Sequence, residues 1–396
     1  RVQKLRTQSL NAVPSISSER AELITEFYAS GAADAVSLPV ARAMALKYVI
    51  TNRAIGINDG ELIVGQRGPQ PKATPTYPEL CCHDLDDLDI ITDRERTPFT
   101  VSNDVRKTYE DTIIPFWSGR TLREKLFDAM SPQWHDAFDA GVFTEFMEQR
   151  APGHAILDDK IYRQGLLDIT TRINGHLDDL DPLNDPRAFD KREELKAMAI
   201  CIDAVILLAN RHADLAEQLA EAETDPPRKA ELENIADICR RVPARAPRTF
   251  QEALQSYWFV HLGVITELNT WDSFNPGRLD QHLNPFYQKE LQAGSLTADD
   301  AKELLGCFWV KFNNEPAPPK VGVTEEQSGT YQDFALINVG GLTPDGDNAV
   351  NDVSYLILET VEDMQLIQPS ACIQLSTENP EEFLQRTCKV VRTGLG

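Results

Sequence analysis

The segment from Arg187 to Glu223 constrains the fold of this chain more than any other. Leu195, Met198, Ile202, Val205, Ile206 and Leu208 recur at helical spacing and form a broad apolar stripe, which predicts one long helix packed deep between others. Asp225-Pro226-Pro227 closes it. A helix of that kind needs a sizeable core around it. With 42% hydrophobic and 26% charged residues over 396 positions, the composition supplies one, and the chain reads as one large compact body.

Further helices are marked on either side. Leu23, Ile24, Phe27 and Tyr28 share a face within residues 17–30, and a second periodic run from Val40 to Ile50 follows Pro39. Thr121-x-x-Glu124 and Thr249-x-x-Glu252 read as capping boxes, and Ser131-Pro132 as an N-cap with proline in the first turn. Asn58-Asp59-Gly60 predicts a turn into a strand over ELIVGQ. From Gly65 to Pro78 the four prolines Pro69, Pro71, Pro75 and Pro78 predict a loop running over the surface. Pro243 and Pro247 mark a break between helices. Beyond Asn313 the texture becomes a proline-rich loop, two β-rich runs (ALINVGG and ACIQLS) and the helix VNDVSYLILETVEDM between them. The expected class is α/β and helix-rich.

Charge excludes whole groups of partners. A formal net charge of -23 repels phosphate backbones and anionic lipid, and no basic block offsets it. The seven cysteines are odd in number and scattered, mostly inside apolar patterns such as ICIDAVILL and LLGCFWV, which fits free thiols in a reducing compartment. Cys81-Cys82-His83 is the one run with metal-ligand chemistry, yet no second pair of ligands follows at a fixed spacing. RVQKLRTQSL lacks the apolar core of a secretory signal and no stretch reaches membrane-spanning length, so the expected location is cytoplasmic. Nucleotide, dinucleotide, serine-hydrolase and zinc-protease signatures are absent.

Three stretches mix polar, aromatic and glycine residues beyond what packing requires: EFMEQRAPGH, TELNTWDSFNPGRLDQHLNPFY and EEQSGTYQDFALINVGG. In the first, Pro152-Gly153 places His154 on a loop after Phe146. A histidine so held is either a proton or hydrogen-bond donor or a turn cap, and Arg150 either clamps a carboxylate or pairs with Glu148. In the second, Asp272 stands between Trp271 and Phe274 and needs a cationic partner, whether Arg278 or a ligand ammonium. Asp280 and His282, on a helix beginning near Pro276, suit structural hydrogen bonds better. In the third, Ser328 and Phe334 sit on a hydroxyl-bearing loop leading into a strand.

These same stretches carry a resemblance. NDGELIVG, NPGRLDQHLNPFY and VNDVSYLILE resemble runs of the glycyl radical enzyme superfamily, the pyruvate formate-lyase-like proteins, and the similarity extends from residue 1 to 396. TPTYPE, ending at Glu79, with FTEFMEQRAPGH, WDSF and KFNNEPAPPKVG, is similar to its hydroxyproline dehydratase branch. The resemblance implies the first half of a ten-stranded barrel wrapped by helices. It further implies a pyruvate formate-lyase-type N-terminal domain over residues 1–396, with the thiyl cysteine loop and glycyl radical domain beyond Gly396. None of the seven cysteines takes the thiyl role, Cys372 included.

By the same resemblance, Phe146 and Phe334 are aromatic walls and His154 lies near the leaving hydroxyl. Asp272 binds the ring ammonium, and Ser328 contacts the substrate. The implied reaction is thiyl-radical removal of water from trans-4-hydroxy-L-proline to give 1-pyrroline-5-carboxylate. No cofactor is expected to be bound. A radical S-adenosylmethionine activating enzyme would install the glycyl radical, and a homodimer is expected. The alternatives are a sulfite-lyase acting on isethionate or dihydroxypropanesulfonate, a glycerol or diol dehydratase, and a structural or accessory protein with the same fold. Prepared alone, a half-barrel exposes strand edges and apolar surface, and residues 1–396 are expected to aggregate.

Overall fold

The computed structural model describes residues 1–142, 155–268, 274–319 and 335–394. It opens with α1 (Val2–Asn11), β1 (Ser15–Ser17), α2 (Glu19–Ala29) and α3 (Leu38–Asn52). Strand β2 (Ala73–Pro75) runs parallel to β1, pairing Ser15 with Ala73 and Ser17 with Pro75. Short helices follow, among them Leu122–Ala129 and Pro132–Asp139. Thr121 and Glu124 form the expected capping box. Ser131 stands at the predicted N-cap position without a side-chain capping bond.

The helical cover comes next: α4 (Leu166–Asp178), α5 (Ala188–Ala222), α6 (Pro226–Arg241) and α7 (Phe250–Glu267). Helix α5 is the predicted long helix, but its buried face differs from the expected stripe. Met198 is half exposed, while Ala197, Ala204, Ala209, Ala213, Ala216 and Ala220 are buried. Bulky residues announce a helical face, whereas alanines let α3 and α6 approach α5 closely, and that approach decides which face is covered.

A three-stranded parallel sheet forms the C-terminal part. It contains β3 (Gly277–Arg278), then α8 (Leu279–Ala293) and α9 (Ala298–Asn313), then β4 (Leu336–Gly340), α10 (Asp352–Met364) and β5 (Ser370–Gln374), with α11 (Glu381–Val391) following. The order is β3-β4-β5, with Gly277 opposite Ile337 and Leu336 opposite Ser370. Both β-rich runs and the helix between them form as expected. The described residues thus give a helix-rich fold with small parallel sheets and no closed barrel. One core joins α5 to α10, centred on Trp258, Phe259, Phe308 and Trp309; a second lies under α2, α3 and the helices around Tyr109.

Three local expectations need correcting. ELIVGQ is no strand: it bends at Leu62 and Ile63, Gly65 has a φ of +102°, and side chains of α7 take its backbone groups. Gln255 accepts from Val64 N at 2.8 Å and donates to Val64 O at 3.0 Å, and Trp258 Nε1 donates to Gly65 O at 2.9 Å. The segment 65–78 is not a surface loop: it contains β2, and Gln66, Arg67 and Thr74 are buried beneath the helices. Finally, Thr249 caps α7 by accepting from Glu252 N, but Glu252 turns its carboxylate to Arg248, so half of the capping box is made.

Candidate functional site

Parallel strands start at one edge, and here that edge gathers distant parts of the chain. Ala155 bridges Asn275 in the parallel sense, β3 follows from Asn275, and Leu336 and Ser370 start β4 and β5. Gly277 makes the first junction possible. Its φ is +68°, and a Cβ there would stand 2.9 Å from the Cβ of Ala155, closer than carbon atoms pack. Asn275 Oδ1 accepts from Gly277 N at 2.9 Å and fixes the turn.

The candidate residues Phe146, His154, Asp272, Ser328 and Phe334, and Arg150 with them, lie outside the described residues. Their neighbours in sequence do not. His154 immediately precedes Ala155, Asp272 comes two positions before Phe274, and Phe334 immediately precedes Ala335. Ala155 and Asn275 are paired, and Ala335 leads into the strand beside β3.

Asp280 and His282 are both described. The Asp280 carboxylate is buried and accepts from Gly340 N at 2.8 Å, Ser354 Oγ at 2.6 Å and Gln281 N at 2.8 Å. It ties α8 to the end of β4 and the start of α10. Desolvation raises its pKa, against the pull of those hydrogen bonds. His282 stacks on Tyr162 with ring centroids 5.0 Å apart, and its Nε2 lies 3.6 Å from Asp158. Arg278, one of the cations weighed as a partner for Asp272, donates to the Leu342 carbonyl.

An arrangement the sequence reading missed lies at the C-terminal end of α7. A helix end leaves carbonyls without intrahelical donors. Here Tyr77 OH donates to Ile265 O, and Arg20 donates from Nε to Thr266 O at 2.6 Å and from Nη2 to Glu267 O at 3.5 Å. The same guanidinium grips the Glu79 carboxylate with both Nη atoms, donates to Thr76 O at 3.1 Å, and lies 3.9 Å over the Tyr77 ring. Burial opposes its charge, yet Glu79 overrides that cost and its pKa is raised. Arg53 donates to Thr266 Oγ1 at 3.1 Å, and Arg42 pairs with the Glu267 side chain. One signal was readable: Arg20 sits at i, i+4, i+7 spacing with Ile24 and Phe27, a charge inside an apolar stripe.

Elsewhere, burial holds one histidine and several thiols in their neutral forms. Burial, with Arg67 adding to it, pushes His261 down to about 3. Burial pushes Cys201 up to about 11 and Cys82 and Cys307 up to about 12, so these remain thiols at neutral pH. Cys388 is exposed. Among the described residues no three His, Cys, Asp or Glu side chains are grouped to hold a metal, and no helix is long and apolar enough to cross a membrane.

Comparison with known proteins gives this arrangement a context. The family model described as pyruvate formate lyase-like matches residues 1–396. The chain belongs to the pyruvate formate lyase-like family. As such it is 52% identical over 396 residues to trans-4-hydroxy-L-proline dehydratase of Clostridioides difficile, covering 100% of this chain and 50% of that protein. It is 33% identical over 399 residues to an isethionate sulfite-lyase of Nitratidesulfovibrio vulgaris, covering 98% and 48%. The crystal structure of hydroxyproline dehydratase from Clostridioides difficile with trans-4-hydroxy-L-proline bound superposes with a TM-score of 0.95 at 52% identity, over 99% of this chain and 50% of that one. This pyruvate formate lyase-like chain therefore spans about half the length of the relatives it matches.

Proposed function

We propose that the full-length protein is a glycyl radical hydro-lyase that converts trans-4-hydroxy-L-proline to 1-pyrroline-5-carboxylate and water. The observation that carries this reading is the 52% identity to the hydroxyproline dehydratase over all 396 residues, against 33% to the sulfite-lyase. In this reading the strands described above form the first half of the family's ten-stranded barrel, and residues 1–396 form its N-terminal domain. The edge where Ala155, Asn275 and Leu336 meet supports one wall of the pocket.

A radical installed by a radical S-adenosylmethionine activating enzyme would take a hydrogen atom from the substrate, weaken the neighbouring carbon–oxygen bond, and give a hydrogen atom back once water has left, so that the conversion is redox-neutral. The residues of this chain bind and orient. Asp272 pairs with the ring ammonium, which holds the zwitterion in one register. Phe146 and Phe334 flank the ring and exclude water from it. Hydroxide is a poor leaving group, so His154 donates a hydrogen bond or proton to the departing oxygen. Ser328 contacts the bound amino acid. A sulfonate substrate, lacking the ammonium, gives Asp272 nothing to pair with and sets it against a like charge. The working form is a cytoplasmic homodimer.

Activated full-length protein, kept anaerobic with trans-4-hydroxy-L-proline, should yield 1-pyrroline-5-carboxylate by mass spectrometry. Sulfite release from isethionate or dehydration of glycerol, with hydroxyproline untouched, would replace this reading.

A further inference from the structure

A small cavity lies where the end of α3 meets α2, the segment 65–78 and the last turn of α7. Arg20, Arg53, Arg67 and Thr266 line it and are buried, while Ser17 and Glu19, also in its lining, are partly exposed and mark its mouth. Its volume is about 10 Å³. That is room for one water-sized occupant and too little for phosphate, sulfate or an organic ligand.

Most of the guanidinium groups gathered here have their charge answered. Arg20 grips Glu79, and Arg67 Nε lies 3.5 Å from a Glu315 carboxylate oxygen. Arg211 donates to the carbonyls of Ile50 at 2.5 Å and Arg53 at 2.8 Å, at the negative end of the α3 dipole. Arg53 is different. Its Nη1 donates to Thr266 Oγ1 at 3.1 Å and its Nη2 to Gln66 O, both neutral acceptors, and its Nε has no hydrogen-bond partner among the described residues. Glu19, whose Oε1 accepts from Ala54 N at 2.7 Å, makes no hydrogen bond to it.

Charges therefore do not balance around the cavity. Arg20, Arg53, Arg67 and Arg211 face Glu19, Glu79 and Glu315, four cations against three anions. Burial pushes Arg53 down to about 10, and the charges of Glu315 and Glu19 do not offset it. A buried cation without its own counter-charge and a buried donor without an acceptor are both costly. Water in the cavity could accept from Nε but would leave the charge as it is. A halide accepts hydrogen bonds only, and it carries the missing negative charge.

We propose that this cavity is a binding site for one monoatomic anion, chloride, held by Arg53 with Arg20 and Arg67 beside it. The ion completes the charge balance beneath α2 and joins the end of α3 to the segment 65–78 and to α7.

The test uses the full-length protein exchanged into potassium gluconate, whose anion is too large for the cavity. Crystals grown in this buffer and soaked in bromide should show a bromine anomalous peak among Arg20, Arg53 and Arg67. An ordered water there, with no anomalous signal, would overturn the proposal. In solution, replacing gluconate by chloride at a constant ionic strength of about 0.2 M should raise the thermal midpoint by about 2 °C, because the ion binds only the folded state. Folded Arg53→Gln should lose this rise, and a rise retained in that variant rejects the site. Should Arg53→Gln fail to fold, Glu19→Gln carries the test. It keeps an acceptor for Ala54 N and removes a like charge from the mouth, so the chloride response should reach half its size at a roughly threefold lower concentration. An unchanged half-response rejects the site as well.

Discussion

The last two turns of α7 present two unlike faces. On one, Ile265 and Thr266 are buried, and their carbonyls are taken by Tyr77 and Arg20. On the other, Val260, Gly263, Val264 and Leu268 line a cleft of about 630 Å³ among the described residues, walled by α3, α4 and α5. One helix end is thus bonded almost to saturation on one side and borders open apolar space on the other. The difference teaches where this molecule spends its polar groups. Along the cleft the flank of α7 is apolar, but only donors can finish a buried helix end.

The contrast breaks most readily at Glu79. Replacing it with alanine leaves the Arg20 guanidinium buried without its counter-charge, and losing one partner of a buried pair costs about 3–5 kcal/mol. Urea denaturation of the full-length protein should show a loss of that size. A loss below about 1 kcal/mol would mean that the carbonyls around Arg20 hold its charge without Glu79.

A smaller effect comes from two neutral histidines behind the same face. His261 contacts Trp258 and Phe312, and His212 lies 5.4 Å from the Phe259 ring. Burial depresses both to about 3, below the roughly 6.5 of an unfolded histidine. Between these values the unfolded chain binds more protons. The stability they permit is therefore complete above about pH 6.5 and is lost as pH falls toward 3. At pH 5 each should cost about 2 kcal/mol. His261→Gln should lose about 2 kcal/mol less than the parent between pH 7.5 and pH 5.0 in paired urea titrations. Identical losses would show that His261 is protonated in the folded state.

How legible this was in the sequence depended on what carries each feature. Long periodic segments such as α3, α5 and α10 announced themselves, because apolar spacing is a local signal. ELIVGQ has strand composition, but its backbone partners are the side chains of Gln255 and Trp258, about 190 residues away, and no local pattern reports such partners. Proline content suggested an exposed loop over 65–78, yet buried backbone there is satisfied by Arg53 and by Glu315, which accepts from Arg67 N at 2.9 Å. The five candidate pocket residues were reached by resemblance of motifs. Composition alone left His154 and Asp272 with structural alternatives. Arg20 is the instructive miss. Its charge within an apolar stripe marks a buried cation, but only the fold shows that Glu79 and the end of α7 receive it.

The smallest expected effect tests the open face. Met198 projects from α5 into the cleft and is 47% exposed, although its spacing in the sequence placed it on the buried stripe. A lysine there can run its methylenes along the apolar wall and keep its ammonium in water. Met198→Lys should therefore change stability by no more than about 0.5 kcal/mol, the range of ordinary surface substitutions. The same charge placed at Ala204 on the buried face of α5 would have to be desolvated. Paired melts of the two full-length variants separate these cases. If Met198→Lys costs more than about 2 kcal/mol, the cleft is filled in the full-length protein, and both faces of α7 are closed by different chemistry.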